Sequence, residues 1–174
     1  MLFRSTELTA NAAAQSISSY VTIPSAALTA AVTIDGVTTN VTTLPAATAG
    51  QDYTLLVTGT SSNPTATLIT DDNSVSTITT QTVKARLING VNNGSGTVSA
   101  TIDNRTIGPA AFKAASVYVT IPSTTGTSTV QPSITTSPAV LTSQSFVANG
   151  VYTIFIWGDA TTGQTPKLAV NADR

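Results

Sequence analysis

Three consecutive oxygen-bearing side chains, Asp71-Asp72-Asn73, are the densest group in this sequence that could do chemistry. Calcium is held by about six to eight such oxygens, so the trio is a candidate metal site; the competing reading is an Asx-rich turn at the end of a strand. Lys84 and Asn171 suggest a second chemistry, an intramolecular Lys–Asn isopeptide bond. Against it, alternation through Val83, Ala85 and Leu87 turns Lys84 and Arg86 towards the opposite, solvated face of their strand. A carboxylate pair could hydrolyse glycosides, yet Glu7 is the single Glu and the aspartates fall mostly at predicted turns. The chain has no His and no Cys. Ser-His-Asp triads, Cys-His dyads, thiolate nucleophiles and imidazole or thiolate zinc sites are therefore excluded. No catalytic residue is expected, and no cofactor beyond that calcium.

Aromatic residues offer binding instead of catalysis. Residues 151–157 read as a strand with two apolar faces, Tyr152, Ile154 and Ile156 on one and Phe155 and Trp157 on the other. A sandwich strand ordinarily shows one face to water, so either a neighbouring part of the chain covers Phe155 and Trp157 or a partner does. Trp157, the sole tryptophan, could also form a platform for a glycan.

These side chains must be positioned by strands. Thr, Val and Ile recur in short alternating runs punctuated by Pro and Gly every eight to twelve residues or so, the rhythm of a sandwich or barrel. The spacing predicts strands over residues 17–23, 28–34, 37–44, 53–59 and 65–70. A second set is predicted over 83–91, 97–103, 117–121, 128–134, 139–146, 151–157 and 166–170. Asp35-Gly36, Asn89-Gly90, Asn93-Gly94, Asp103-Asn104 and Asn149-Gly150 read as hairpin turns. Only residues 6–15, around Ala12-Ala13-Ala14, could make a short helical turn.

The chain repeats itself. Tyr20-Val21-Thr22-Ile23-Pro24-Ser25 returns as Tyr118-Val119-Thr120-Ile121-Pro122-Ser123, and the Tyr53-Thr54-Leu55 strand returns as Tyr152-Thr153-Ile154, at an offset close to one hundred residues. Two motifs in the same order at one offset indicate a duplication. The expected organisation is an N-terminally incomplete β-sandwich copy over 1–75, a linker over 76–82 and a complete copy over 83–174. The first copy is short because residues 83–103, two predicted strands, have no counterpart ahead of Tyr20.

Composition bears on location and partners. Charged residues make up only 9% of the chain against about 25% in typical soluble proteins, and Thr and Ser must coat the surface. Such a neutral, hydroxyl-rich exterior suits a protein outside the cytoplasm. The net charge is −1 and the seven basic residues are scattered, so neither nucleic acid nor an anionic membrane is an expected partner. Nothing approaches the ~18 consecutive apolar residues of a membrane span, and the opening residues lack the apolar stretch of a signal peptide.

Residues 65–74, Thr-Ala-Thr-Leu-Ile-Thr-Asp-Asp-Asn-Ser, together with Val83-Lys84-Ala85-Arg86-Leu87-Ile88-Asn89-Gly90-Val91 and the two Tyr-Val-Thr-Ile-Pro-Ser strands, carry a family pattern. The sequence resembles the bacterial domain-of-unknown-function family 4397, found in tandem copies on exported and often lipid-anchored proteins. The resemblance spans nearly the whole chain and implies an all-β, immunoglobulin-like antiparallel β-sandwich in tandem copies at an extracellular or cell-surface location. It brings no established activity. Two departures are plain: there is no lipid-attachment Cys, and the opening strands of the first copy are lacking.

A sandwich short of two strands leaves backbone N–H and C=O groups unpaired beside an uncovered apolar face. The expected function is therefore an extracellular structural or adhesive subunit of a bacterial surface assembly or filament, a homo-oligomer or polymer joined by strand complementation or edge pairing. The alternative is a monomeric, surface-displayed binding module for a glycan or host protein. Residues 2–8, with Leu2, Phe3 and Leu8, are the candidate donated strand. The acceptor edges are expected beside Tyr20, Val21 and Ile23 and beside Tyr53, with Phe155 and Trp157 as further contacts.

Overall fold

A computed structural model describes residues 12–13, 16–25, 28–75, 81–92, 96–134, 140–159 and 166–174. Among these the chain is all β. Strands β1 (Leu28–Ile34) and β2 (Val37–Leu44) form one hairpin, and β3 (Asp52–Thr60) and β4 (Asn63–Asp71) form a second. The rest comprises β5 (Thr82–Asn92), β6 (Thr97–Ile102), β7 (Arg105–Ala111), β8 (Ala114–Ala115), β9 (Val119–Pro122), β10 (Thr124–Pro132), β11 (Leu141–Phe146), β12 (Val151–Asp159) and β13 (Lys167–Ala172). One sheet has the order β11-β10-β6-β7; the other has the order β13-β12-β5-β8, with β9 also paired to β5. All pairs are antiparallel except β5 with β12.

The two larger sheets pack face to face on one apolar core. Leu87, Ile154 and Ile156 from the β5-β12 sheet meet Ile107, Val130 and Phe146 from the other, all at 0% exposure. Alternation along β5 sends Val83, Ala85, Leu87 and Val91 into this core. The first hairpins share a much smaller core, in which Leu44 and Ala66 are buried and Ala30, Val32, Leu55 and Leu68 only partly so.

Turn chemistry follows the residues. Asp35 and Gly36 take φ of 51° and 78°, the double positive φ of a two-residue hairpin turn, and Ile34 pairs with Val37 across it. Asp103 (φ 53°) turns β6 into β7, and its carboxylate accepts from the Thr129 amide and the Ser128 hydroxyl at 2.9 and 3.0 Å, fixing that turn to β10. Asn149 (φ 62°) leads into β12.

Four expectations are corrected. Residues 17–23 form no strand, for a reason developed below. Asn89-Gly90 is no turn: both residues lie inside β5, where Asn89 donates to the Ala110 carbonyl and accepts from the Val91 amide. Its side chain satisfies backbone locally, as Asn does in turns, but within a ladder. Strand β7 was hidden by its Gly108-Pro109 pair. It is the edge strand of its sheet, where a proline lacking N–H is tolerated, and the register shifts by a bulge there. Lys84 and Arg86 do not face solvent, because the β3–β4 hairpin lies over that face of β5. The Asn93-Gly94 turn and most of the predicted helical turn over 6–15 lie outside the described residues.

Candidate functional site

The covered face of β5 holds a buried ion pair. Arg86, on β5, and Asp71, at the end of β4, have side chains 1% and 0% exposed, and the guanidinium Nη2 bonds Asp71 Oδ1. Three further donors are also engaged: Nε donates to Thr153 Oγ1 at 3.1 Å, Nη1 to the Thr70 carbonyl at 3.0 Å and Nη2 to Thr54 Oγ1 at 3.3 Å. The Tyr20 hydroxyl donates to Asp71 Oδ2 at 2.8 Å, and Thr54 Oγ1 reaches the same carboxylate. The ring of Tyr118 lies 5.0 Å from the guanidinium and 4.7 Å from Lys84 Nζ. A planar fork with five N–H groups suits such a junction, where one cation must bond two threonines, a carbonyl and a carboxylate at once.

A second carboxylate stands on the other side of the same arginine. Thr153, opposite Arg86 in the β5–β12 ladder, donates its hydroxyl to Asp173 Oδ2, and Asn171 donates to Asp173 Oδ1 at 2.8 Å. Thr54–Asp71 and Thr153–Asp173 are thus two like pairs served by one guanidinium. Burial pushes the Asp173 carboxyl above its usual range, more than Thr153, Asn171 and Arg86 pull it down, and Asp71 adds to the rise. A folded-state pKa above the unfolded 3.8 means that Asp173 contributes stability when protonated and that this is lost as pH rises through the raised value. The titratable and hydrogen-bonding groups around it are Asp71, Arg86, Tyr20, Tyr118, Thr153 and Asn171. Wild type is therefore expected to gain unfolding free energy relative to Asp173→Asn between neutral pH and about pH 4.5, read from paired urea titrations. A difference that shrinks on acidification would contradict this assignment.

The candidate calcium trio is taken apart by the same geometry. Asp71 serves Arg86; Asp72 pairs with Lys84 at 2.7 Å and closes an Asx turn with the Ser74 amide at 3.1 Å; Asn73 donates to Asp52 at 2.8 Å. The Lys84 contact and the Ser74 hydrogen bonds hold the Asp72 carboxyl down to about 2. The three side chains diverge, and among the described residues no three carboxylates gather about one point. Lys84 and Asn171, weighed above for a crosslink and disfavoured, have separate partners: Lys84 faces Asp72, whereas Asn171 lies opposite Thr153 and bonds Asp173.

Local structure recurs where the sequence does. The Tyr53 hydroxyl accepts from the Thr48 amide at 3.0 Å, and the Tyr152 hydroxyl accepts from the Val147 amide at 2.7 Å, each five residues back along the chain. Gly50 (φ 76°) precedes β3 as Asn149 (φ 62°) precedes β12. Gly59 and Gly158 both take positive φ, 102° and 136°. At Gly59 a Cβ would collide with the Asn63 carbonyl oxygen, so β3 needs glycine there to close its hairpin.

The two segments differ at one edge. In the second, β12 lies between β13 and β5, and β9 pairs with β5 alone. In the first, β3 pairs only with β4 among the described residues, and Tyr20-Val21-Thr22-Ile23-Pro24, the twin of β9, forms no ladder. A strand like β9 exists only when a strand like β5 accepts it, which is why 17–23 fails to become one. The apolar side of this slot is open. Val57 is 43% exposed where its counterpart Ile156 is 0%, and Tyr20 and Val21 are each 48% exposed.

Of the expected interface residues, Tyr20 and Val21 are exposed and Ile23 and Tyr53 half-buried; Tyr20 reaches Asp71 at the end of β4, and Tyr53 lies on β3. Leu2, Phe3 and Leu8 lie outside the described residues. Phe155 is corrected: it is buried within the chain, 5.7 Å from the ring of Trp157, on the face that the β3–β4 hairpin covers. Trp157 is half-buried over Gly90, where Leu56 of β3 also packs. The Arg86 cluster escaped sequence reading; its only signal was an arginine among Ala85, Leu87 and Ile88 in a chain with very few charges. No protein-family model matches the chain, and no curated protein matches it either.

Proposed function

We propose that the chain is a structural or adhesive subunit of a bacterial extracellular assembly, built from two related β-sandwich copies of which the first is completed by a strand from outside. One observation carries this reading: residues 20–24 and β3 match in sequence β9 and β12, the two strands that β5 joins, and β3 pairs only with β4 among the described residues. An edge unpaired among the described residues, beside exposed Val57, is a template for pairing, and β3 guards it with a single charge, Asp52. The low charge of the whole chain and the resemblance to family 4397 support a site outside the cytoplasm. The resemblance also supports the tandem arrangement, as do the matched tyrosine hydrogen bonds and the matched Thr–Asp pairs.

Light scattering and electron microscopy on a concentration series test the proposal. Wild type is expected to form head-to-tail oligomers, and Val57→Asp, which sets a charge in the open slot, to raise the concentration needed by roughly ten-fold or more. A chain that stays monomeric at its highest soluble concentration would sink the idea.

A further inference from the structure

We infer that residues 2–8 of a second copy fill the slot beside β3, and that Arg4 of that segment pairs with Asp173 as Arg86 pairs with Asp71. This rests on the assembly reading above and gives it a partner, a register and a recognition charge.

The template is the second segment itself. There β5 runs parallel to β12 with Arg86 opposite Thr153, and antiparallel to β9 with Lys84 opposite Thr120 and Ala85 opposite Val119. Arg86 bonds the threonine beside it, Thr153, which bonds Asp173. Arg86 then reaches across the covered face to the other pair, Thr54 and Asp71. Interchanging the halves places a filling strand parallel to β3 and antiparallel to residues 20–24. An arginine opposite Thr54 in that strand bonds Thr54 and crosses the same face to Thr153 and Asp173. Tyr20, matching Tyr118 in sequence, would then present its ring to that arginine.

Charge calls for such a residue. The buried cluster contains two carboxylates and one guanidinium, and among the described residues Asp173 has no ion pair. Uncompensated charge in a half-buried site is unfavourable, and a second arginine would relieve it. The chain's other cations are placed elsewhere. Lys84 holds Asp72; Arg174 reaches the Asn73 carbonyl; Arg105 and Lys113 flank β7; Lys167 opens β13 at the end far from Asp173. Arg4 remains, preceded by Leu2 and Phe3 and followed by Glu7 and Leu8; in this register Glu7 falls beside Val57, on the side open to solvent. The donor comes from a second copy because Tyr20, Val21 and Val57 stay open to solvent in the single chain.

Charge reversal tests the pair. Arg4→Asp and Asp173→Arg are each expected to raise the concentration for assembly by at least about 30-fold. An equimolar mixture of the two variants should recover heterodimers, because the donated strand of the Arg4→Asp chain carries the charge that the reversed site of the Asp173→Arg chain attracts. Recovery only when both changes are made in one chain, with none in the mixture, would mean that the segment folds back on its own chain and would overturn the second-copy assignment. Recovery in neither would overturn the pairing. The chain contains no cysteine, so oxidation of an Arg4→Cys chain mixed with a Thr54→Cys chain gives an independent readout that survives poor folding of the Asp173 variant. A disulfide-linked dimer supports the register, and its absence while wild type assembles refutes it. Assembly of wild type is scored separately: if wild type assembles but both tests fail, the donor is wrong and the assembly reading stands.

Discussion

Asp71→Ala is expected to lower the unfolding free energy by about 3–5 kcal/mol, the range for leaving one member of a buried ion pair without its partner. The guanidinium of Arg86 is 1% exposed and cannot turn to water, so removal of the carboxylate strands a charge between Thr54, Thr153 and the Thr70 carbonyl. The hydroxyl of Tyr20 loses its acceptor as well. Urea titration followed by the fluorescence of Trp157, the sole tryptophan, reads the loss from a probe on the same covered face. The double variant Asp71→Leu, Arg86→Met should recover much of the loss, since apolar replacement of a buried pair is often near neutral. By contrast Asp72→Ala is expected to cost under about 1 kcal/mol, because Asp72 is 61% exposed and water screens its contact with Lys84. Equal losses for Asp71→Ala and Asp72→Ala would show that the Arg86 cluster does not fasten the hairpin to β5.

What this pair does explains which parts of the fold were readable from residues. Strand periods, the Asp35-Gly36 turn and the repeated tyrosine strands are local, and local chemistry decides them. Period two also separated the faces of β5 correctly: Val83, Ala85 and Leu87 face the core and Lys84 and Arg86 do not. It could not say what lies over the second face. That depends on where the β3–β4 hairpin docks, a contact between segments written in no local pattern, so Arg86 read as solvated although it is among the most buried side chains in the protein. The same gap misled the reading of residues 17–23. Their sequence is strand-like, as β9 proves for its twin, yet a strand is a property of pairs, and pairing is what sequence alternation cannot report. Gly108-Pro109 erred in the other direction, because a breaker is tolerated at a sheet edge, and edge status emerges only from the strand order.

The asymmetry between the segments makes a second large effect testable at two positions related by the repeat. Ile156→Ala is expected to cost about 2–5 kcal/mol, since Ile156 is fully enclosed between β5, β13 and the facing sheet, and its truncation leaves a cavity. Val57→Ala, the equivalent change on β3, is expected to cost about 1 kcal/mol or less in the single chain, because Val57 keeps 43% of its surface in water and only part of its side chain is buried. Its cost should appear on assembly instead, as a higher threshold concentration, because a strand laid along β3 would cover Val57 as β5 covers Ile156. Chemical denaturation at low concentration gives the first pair of numbers, and light scattering of the same variants gives the second. If Val57→Ala destabilises the monomer as much as Ile156→Ala does, the slot is already closed within one chain. A small cost for both would show instead that the core between the two larger sheets is too loose to respond to the loss of three side-chain carbons.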